Sequence, residues 1–179
     1  MIPDTFFRMI PVMTPSLINF SDDGKKWLIR NEGSRRKIVN GKIIHTLYND
    51  SQGYATIGYG HLVSRKSVKH QAEDAAQKPY INGLSEEAAV KLLSQDLAFH
   101  VEGIRKNIKV KITQAQFDTL VDISFNTGRS ALMQSQIVKL INQGKLTEAS
   151  EAIKIFRIGG INAGRRRRES DNFLKGNYQ

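Results

Sequence analysis

An α+β fold, with a small antiparallel β lobe ahead of a helical majority, is predicted by three observations on the 179-residue sequence. Asn40-Gly41 stands between two β-branched runs, the strongest hairpin signal a short stretch can carry. A second hairpin is expected within "GYATIGYGHLV". From Ser64 onward the apolar residues recur with a helical period, so strands and helices are segregated rather than alternating.

Each element has its own signal. Ser21 is placed as an N-cap, with Asp22 and Asp23 where a helix start favours negative charge, so a helix is expected from there to Asn31 or Glu32. Gly33 ends it, and residues 34–63 read as one small sheet. "SRKSVKHQAEDAAQK" reads as a weak helix stopped by Pro79, and "INGL" as a turn leading to Ser85, the cap of a helix with Glu86 and Glu87 in its first turn. In that helix Leu93, Leu97, Val101, Ile104 and Ile108 form one apolar stripe, which is core. Thr113 and Gln116 make a capping box before Phe117, Leu120, Val121, Ser124 and Phe125, and Gly128 stops that helix. A further helix ends near Gly144. Another runs from about Thr147 to Arg157, broken by Gly159-Gly160, and the last, from about Gly164 to Leu174, is rich in arginine.

The chain is long enough for one good core, split at most into two lobes sharing a helix. It has no cysteine, so disulfides, thiolate zinc sites and a thiol nucleophile are excluded. Its 27 Lys+Arg against 17 Asp+Glu give a net charge of +10, which favours an anionic partner: nucleic acid, membrane headgroups or an acidic wall polymer. No signal peptide is expected, because Pro3, Pro11 and Pro15 break the apolar start and Asp4 and Arg8 interrupt it.

Several chemistries fail on residue type. "GYATIGYGH" has no lysine for a phosphate loop, there is no dinucleotide fingerprint, and no G-x-S-x-G elbow. His45, His61, His70 and His100 lack ligand spacing, so neither a metal nor another cofactor is expected. A carboxylate pair remains. Glu32 at a helix end and Asp50 at a turn can supply the acid and the water-activating carboxylate of glycoside hydrolysis, and from spacing alone they read equally as an exposed helix end and a turn former. Thr56 can hold a water with Asp50, or be a β-former placed for propensity. Tyr54 and Tyr59 can stack on sugars or simply pack.

Taken together, "NEG" at Asn31 to Gly33 and "YNDSQGYATIGYGH" at Tyr48 to His61 resemble the active-site region of the phage-type lysozymes, glycoside hydrolase family 24. "LSEEAAVKLLSQDL", "FNTG" and "GRRRRES" continue the resemblance, which runs from Ser21 to Phe173. It implies a lysozyme-like fold, a β lobe at about 34–63 and a helical lobe at about 64–179, with the active-site cleft between them. Residues 1–20 are an extension outside it, an arm that docks to a partner or to the body. Glu32 matches the family's general acid, Asp50 the carboxylate that deprotonates the attacking water, and Thr56 the hydroxyl that helps hold it. Tyr48, Tyr54, Gly60, His61, Asn126 and Arg165 fall on the substrate side, and Arg165 lies near a family arginine that pairs with the catalytic glutamate. Members invert the anomeric carbon, which calls for carboxylates roughly 6.5 to 9.5 Å apart. A general acid must also hold its proton at working pH, which burial or a neighbouring negative charge favours.

One departure stands out. Seventeen residues, Gly33 to Asn49, separate Glu32 from Asp50, more than in typical members, and the Asn40-Gly41 hairpin accounts for the excess. It can extend substrate contacts or restrict access. The expectation is a monomeric muramidase acting on peptidoglycan between N-acetylmuramic acid and N-acetylglucosamine, made in the cytoplasm and reaching the periplasm through a holin or an injection or secretion apparatus. Two alternatives differ in class: a nucleic-acid-binding protein using Arg165 to Arg168, though aromatics are not interleaved there, and an inactive wall-binding relative whose hairpin blocks the groove.

Overall fold

The computed structural model describes residues 10–157 and 162–179. The chain opens on β1 (Val12–Met13) and a 3-10 turn at Pro15–Leu17, then enters α1 (Asp22–Glu32). Ser21 Oγ accepts the Gly24 N–H at 2.9 Å and so caps α1. Asp22 and Asp23 occupy the positive end of that helix. The hairpin β2 (Arg36–Val39) and β3 (Lys42–His45) turns through Asn40 and Gly41 at φ 49° and 74°, the double positive φ of a type I′ turn. There follow β4 (Tyr48–Asn49), β5 (Ala55–Ile57), β6 (His61–Ser64), β7 (Leu84–Ser85) and α2 (Glu86–Asn107). The chain continues as β8 (Ile112–Thr113), α3 (Gln114–Thr127), α4 (Arg129–Met133), α5 (Gln136–Asn142), α6 (Leu146–Ile155) and α7 (Asn162–Lys175).

The chain divides into two compact units, Leu28–His100 and a second made of Met1–Trp27 with Val101–Gln179. In the first, the expected single sheet is instead two three-stranded sheets, β2-β3-β7 and β4-β5-β6. The difference arises at Leu84–Ser85, expected as the end of a turn and a helix cap, which pairs with His45 and Ile44. The weak helix expected from Ser64 to Lys78 is also absent. Its place is taken by loop and 3-10 turns at Val68–His70 and Lys78–Tyr80. Asp74 gives the reason: its carboxylate accepts from Ser64 Oγ at 2.7 Å and from the Ala76 N–H at 2.9 Å, local bonds that compete with a helix lacking an apolar stripe. Ala55, Ile57 and Tyr59 are buried, as are Ala89, Leu93 and Leu97 on α2.

The second unit is built on α3, whose residues Ala115 to Ser124 are all buried. The capping box formed as expected, with Thr113 Oγ1 accepting from the Gln116 N–H and Gln116 Oε1 from the Thr113 N–H. Where one helix was expected to end near Gly144, two short ones, α4 and α5, stand with a break at Gln134 and Ser135. The break expected at Gly159-Gly160 lies outside the described residues. β1 pairs antiparallel with β8, so residues of the N-terminal extension from Ile10 on join the body of this unit. Asp118, fully buried, accepts from Ser21 N–H and Oγ, Gln114 Nε2 and Tyr178 Oη, tying the start of α1 and residue 178 to one side chain. Among the described residues no helix is long and apolar enough to cross a membrane.

Candidate active site

Glu32, Tyr48, Asp50, Tyr54, Thr56, Gly60 and His61 all belong to the unit Leu28–His100. Glu32 is the last residue of α1; it is half-buried, with its Oε1 shielded from solvent. Asp50 follows β4 and organises the turn into β5. Its Oδ1 accepts the Gln52 N–H at 2.8 Å and the Tyr54 N–H at 2.9 Å, and its own N–H donates to the Tyr54 carbonyl at 2.9 Å. Gly53, at φ 82°, supplies the left-handed residue the reversal needs. Two main-chain donors on one oxygen fix the carboxylate and leave the second oxygen uncommitted to them.

Tyr48 and Thr56 face each other directly across β4 and β5, so their side chains share one face. Thr56 is 4% exposed and donates its hydroxyl to the Tyr54 carbonyl at 3.2 Å. A register shift at Ala55 and Thr56 bends the β5–β6 pair at this point, a common device for aiming a side chain. The Tyr48 hydroxyl titrates above its ordinary range, through burial first and then the negative charges of Glu32 and Asp50. The charges of both carboxylates thus reach one phenol, and Thr56 shares the face of that phenol.

Of the neighbouring polar groups, Asp96 was not singled out in the sequence, and Glu86 and His45 were named there without a partner. His61 Nδ1 bonds Asp96 Oδ2 of α2 at 2.8 Å. Glu86, at the start of α2, receives the Tyr59 hydroxyl at 2.5 Å and meets His45 Nε2 at 2.7 Å. His45 is fully buried, and its Nδ1 has no partner among the described residues. Carboxylates at the start and middle of α2, Glu86 and Asp96, beside a histidine-bearing sheet were the available signal.

Asn126 and Arg165 belong to the other unit. Arg165 donates to Asp122 Oδ1 at 3.1 Å and to Glu169 Oε1 at 3.0 Å, while Arg166 pairs with Glu169 and donates to Asn126 Oδ1 at 2.5 Å. Arg165 and Arg166 are buried, so the arginine run is not the four-residue basic patch a nucleic-acid interface would use; only Arg167 and Arg168 are exposed. No group of three or more His, Asp or Glu among the described residues could hold a metal ion.

An α+β chain with two carboxylates and a hydroxyl gathered at a helix end and a β turn has the architecture of a lysozyme-like glycosidase. The comparisons agree on the class. Residues 41–171 match the phage lysozyme family model, so the chain belongs to the phage lysozyme family. It is 30% identical over 164 residues to the endolysin of Salmonella phage P22, covering 88% of this chain and 99% of that protein. To the endolysin of Bacillus phage B103 it is 34% identical over 160 residues, and spans 54% of that longer protein. A P22 lysozyme mutant shares its fold at a TM-score of 0.68 and 27% identity, over 89% of this chain and all of that one. The muramidase domain of SpmX from Asticaccaulis excentricus does so at 0.67 and 27%, over 88% and 98% of the two chains. The family match begins at Gly41, inside the hairpin, so it contains Asp50 and Thr56 but not Glu32.

Proposed function

We propose that the chain is a muramidase that hydrolyses the β-1,4 bond between N-acetylmuramic acid and N-acetylglucosamine of peptidoglycan with inversion. The observation that carries this reading is that the charges of Glu32 and Asp50 both reach the Tyr48 phenol, beside an Asp50 carboxylate held by two main-chain donors. Glu32 gives its proton to the glycosidic oxygen as the bond to C1 breaks. A water attacks C1 from the opposite face and its proton passes to Asp50, whose geometry is fixed by the Gln52 and Tyr54 N–H groups. Thr56 and Asp50 hold that water between them. Tyr48, Tyr54, Gly60 and His61 line the sugar side.

The net charge of +10 favours encounter with the carboxylate-bearing polymer, and salt weakens it. Relatives named as endolysins support action on the cell wall. The chain works there as a monomer, brought by a holin or an injection or secretion apparatus. The test is clearing of a purified peptidoglycan suspension. Wild type lowers the turbidity, while Glu32→Gln and Asp50→Asn, each with an unchanged unfolding temperature, leave it standing; clearing at the wild-type rate by both variants removes the assignment.

A further inference from the structure

The β2–β3 hairpin is the part of its unit that the carboxylate site does not use. β7 pairs only with Ile44 and His45 of β3, so residues 37–43 form a two-stranded ribbon that no third strand supports. Every residue of β2 is exposed. Ile38 stands opposite Ile43 and Val39 opposite Lys42, and the apolar members are 78%, 39% and 42% exposed respectively for Ile38, Ile43 and Val39. Three bare aliphatic side chains at the tip of one ribbon are not the scattered exposure of an ordinary surface.

The charge around them has one sign. Between Ser34 and Thr46 the sequence carries Arg35, Arg36, Lys37 and Lys42 and no carboxylate. Arg36 acts on Glu86 and Tyr59 at the base of the ribbon. No carboxylate among the described residues pairs with Arg35, Lys37 or Lys42. The partner must therefore be anionic and also able to receive aliphatic side chains. A glycan offers no place for isoleucine, and the ribbon lacks the aromatics that stack on sugars. Nucleic acid receives an apolar wedge only where base steps are unstacked to bend the duplex around a larger basic surface, which so short a ribbon does not offer. A second copy adding to the open edge of β2 would set cations against cations. An anionic bilayer satisfies both features, with aliphatic groups in the headgroup boundary and lysine and arginine on the phosphates.

We propose that the β2–β3 hairpin is a membrane-surface anchor, seating Ile38, Val39 and Ile43 in the interface of an anionic phospholipid bilayer with Arg35, Lys37 and Lys42 on its headgroups. The anchor is separate from the proposed chemistry, because none of these residues takes part in it.

The test is co-sedimentation of the full chain with vesicles of phosphatidylcholine and phosphatidylglycerol, and with phosphatidylcholine alone, across a salt series. Wild type binds the anionic vesicles, and salt releases it. Arg35→Gln with Lys37→Gln and Lys42→Gln weakens partitioning on the order of 100-fold, at about fivefold per charge. Ile38→Ser with Val39→Ser weakens it roughly tenfold or more. A tryptophan in Ile38→Trp shifts its emission to the blue on anionic vesicles only. Vesicle binding that both multiple variants retain overturns the anchor. So does binding lost on purified peptidoglycan instead of vesicles, or a dimer in solution that the serine variant dissociates.

Discussion

Thr56 stands directly opposite Tyr48 in the β4–β5 register, and Tyr48 is in turn the phenol on which Glu32 and Asp50 both act. A residue one strand away from the carboxylates is thereby placed on their face. The Thr56 hydroxyl spends its proton on the Tyr54 carbonyl, which turns its lone pairs toward a hydrogen donor such as water. Thr56→Val is expected to lower turnover on the order of 100-fold, at a stability cost of about 1 kcal/mol or less, because the Tyr54 carbonyl loses the hydroxyl but keeps the Asp50 N–H. Thr56→Ser is expected to keep most of the activity. Steady-state assays on soluble wall fragments, beside thermal unfolding, check both, and full activity in Thr56→Val contradicts a role for the hydroxyl.

The buried ion network of the helical unit has a different consequence. Arg165 and Arg166 are matched inside it by Asp122 and Glu169, so the charges balance. Removing one member strands another in a medium that cannot solvate it. Glu169→Gln is expected to cost about 3–5 kcal/mol, and Arg167→Gln, on the exposed side of the same helix, within about 0.5 kcal/mol of nothing. Urea denaturation separates the two positions; equal effects would mean that burial of the pair contributes little.

Tyr59 and Glu86 set opposite ends of a stability plateau. Burial, then the hydrogen bond to Glu86 and its charge, push the Tyr59 hydroxyl up to about 12 despite Arg36. The fold favours the neutral phenol, so this contribution is intact below the unfolded value of 10.0 and is lost as pH rises toward 12. Burial pushes the Glu86 carboxyl up, but the bonds from Tyr59 and His45 and the charge of Arg36 outweigh it, and its pKa falls below 4.5. That contribution is present above 4.5 and fades as pH falls through the lowered value. Unfolding temperature against pH should thus drop on both sides. Tyr59→Phe should flatten part of the alkaline limb, the remainder belonging to Tyr48 and Tyr178, whose hydroxyls are also raised. An alkaline limb identical in wild type and Tyr59→Phe refutes the assignment.

What the sequence made legible was local. Ser21, the Thr113–Gln116 box and Asn40-Gly41 act within a turn of chain, and each formed as its chemistry requires. The pairing of Leu84–Ser85 with β3 depends on residues some forty positions away, and no two-residue stretch announces such a partner. Residues 64–78 carried helix formers without an apolar face, so side-chain bonds from Asp74 decided their path. For the site, the motif pointed to Asp50 and Thr56, but the register of the arginine run stayed open because identical cations hide which of them turn inward. The spacing of Arg165 and Arg166 to Glu169, and Asp122 among the apolar residues Leu120, Val121 and Ile123, were the clues that two of the arginines have buried partners.

The central claim is that Glu32 and Asp50 together hydrolyse the muramic acid linkage. It is tested most directly by digesting purified peptidoglycan, reducing the new chain ends with borohydride and identifying the reduced sugar. Wild type should yield reduced N-acetylmuramic acid, and neither Glu32→Gln nor Asp50→Asn, both folded, should yield any above the no-enzyme level. New ends of N-acetylglucosamine, or undiminished release by both variants, would contradict it.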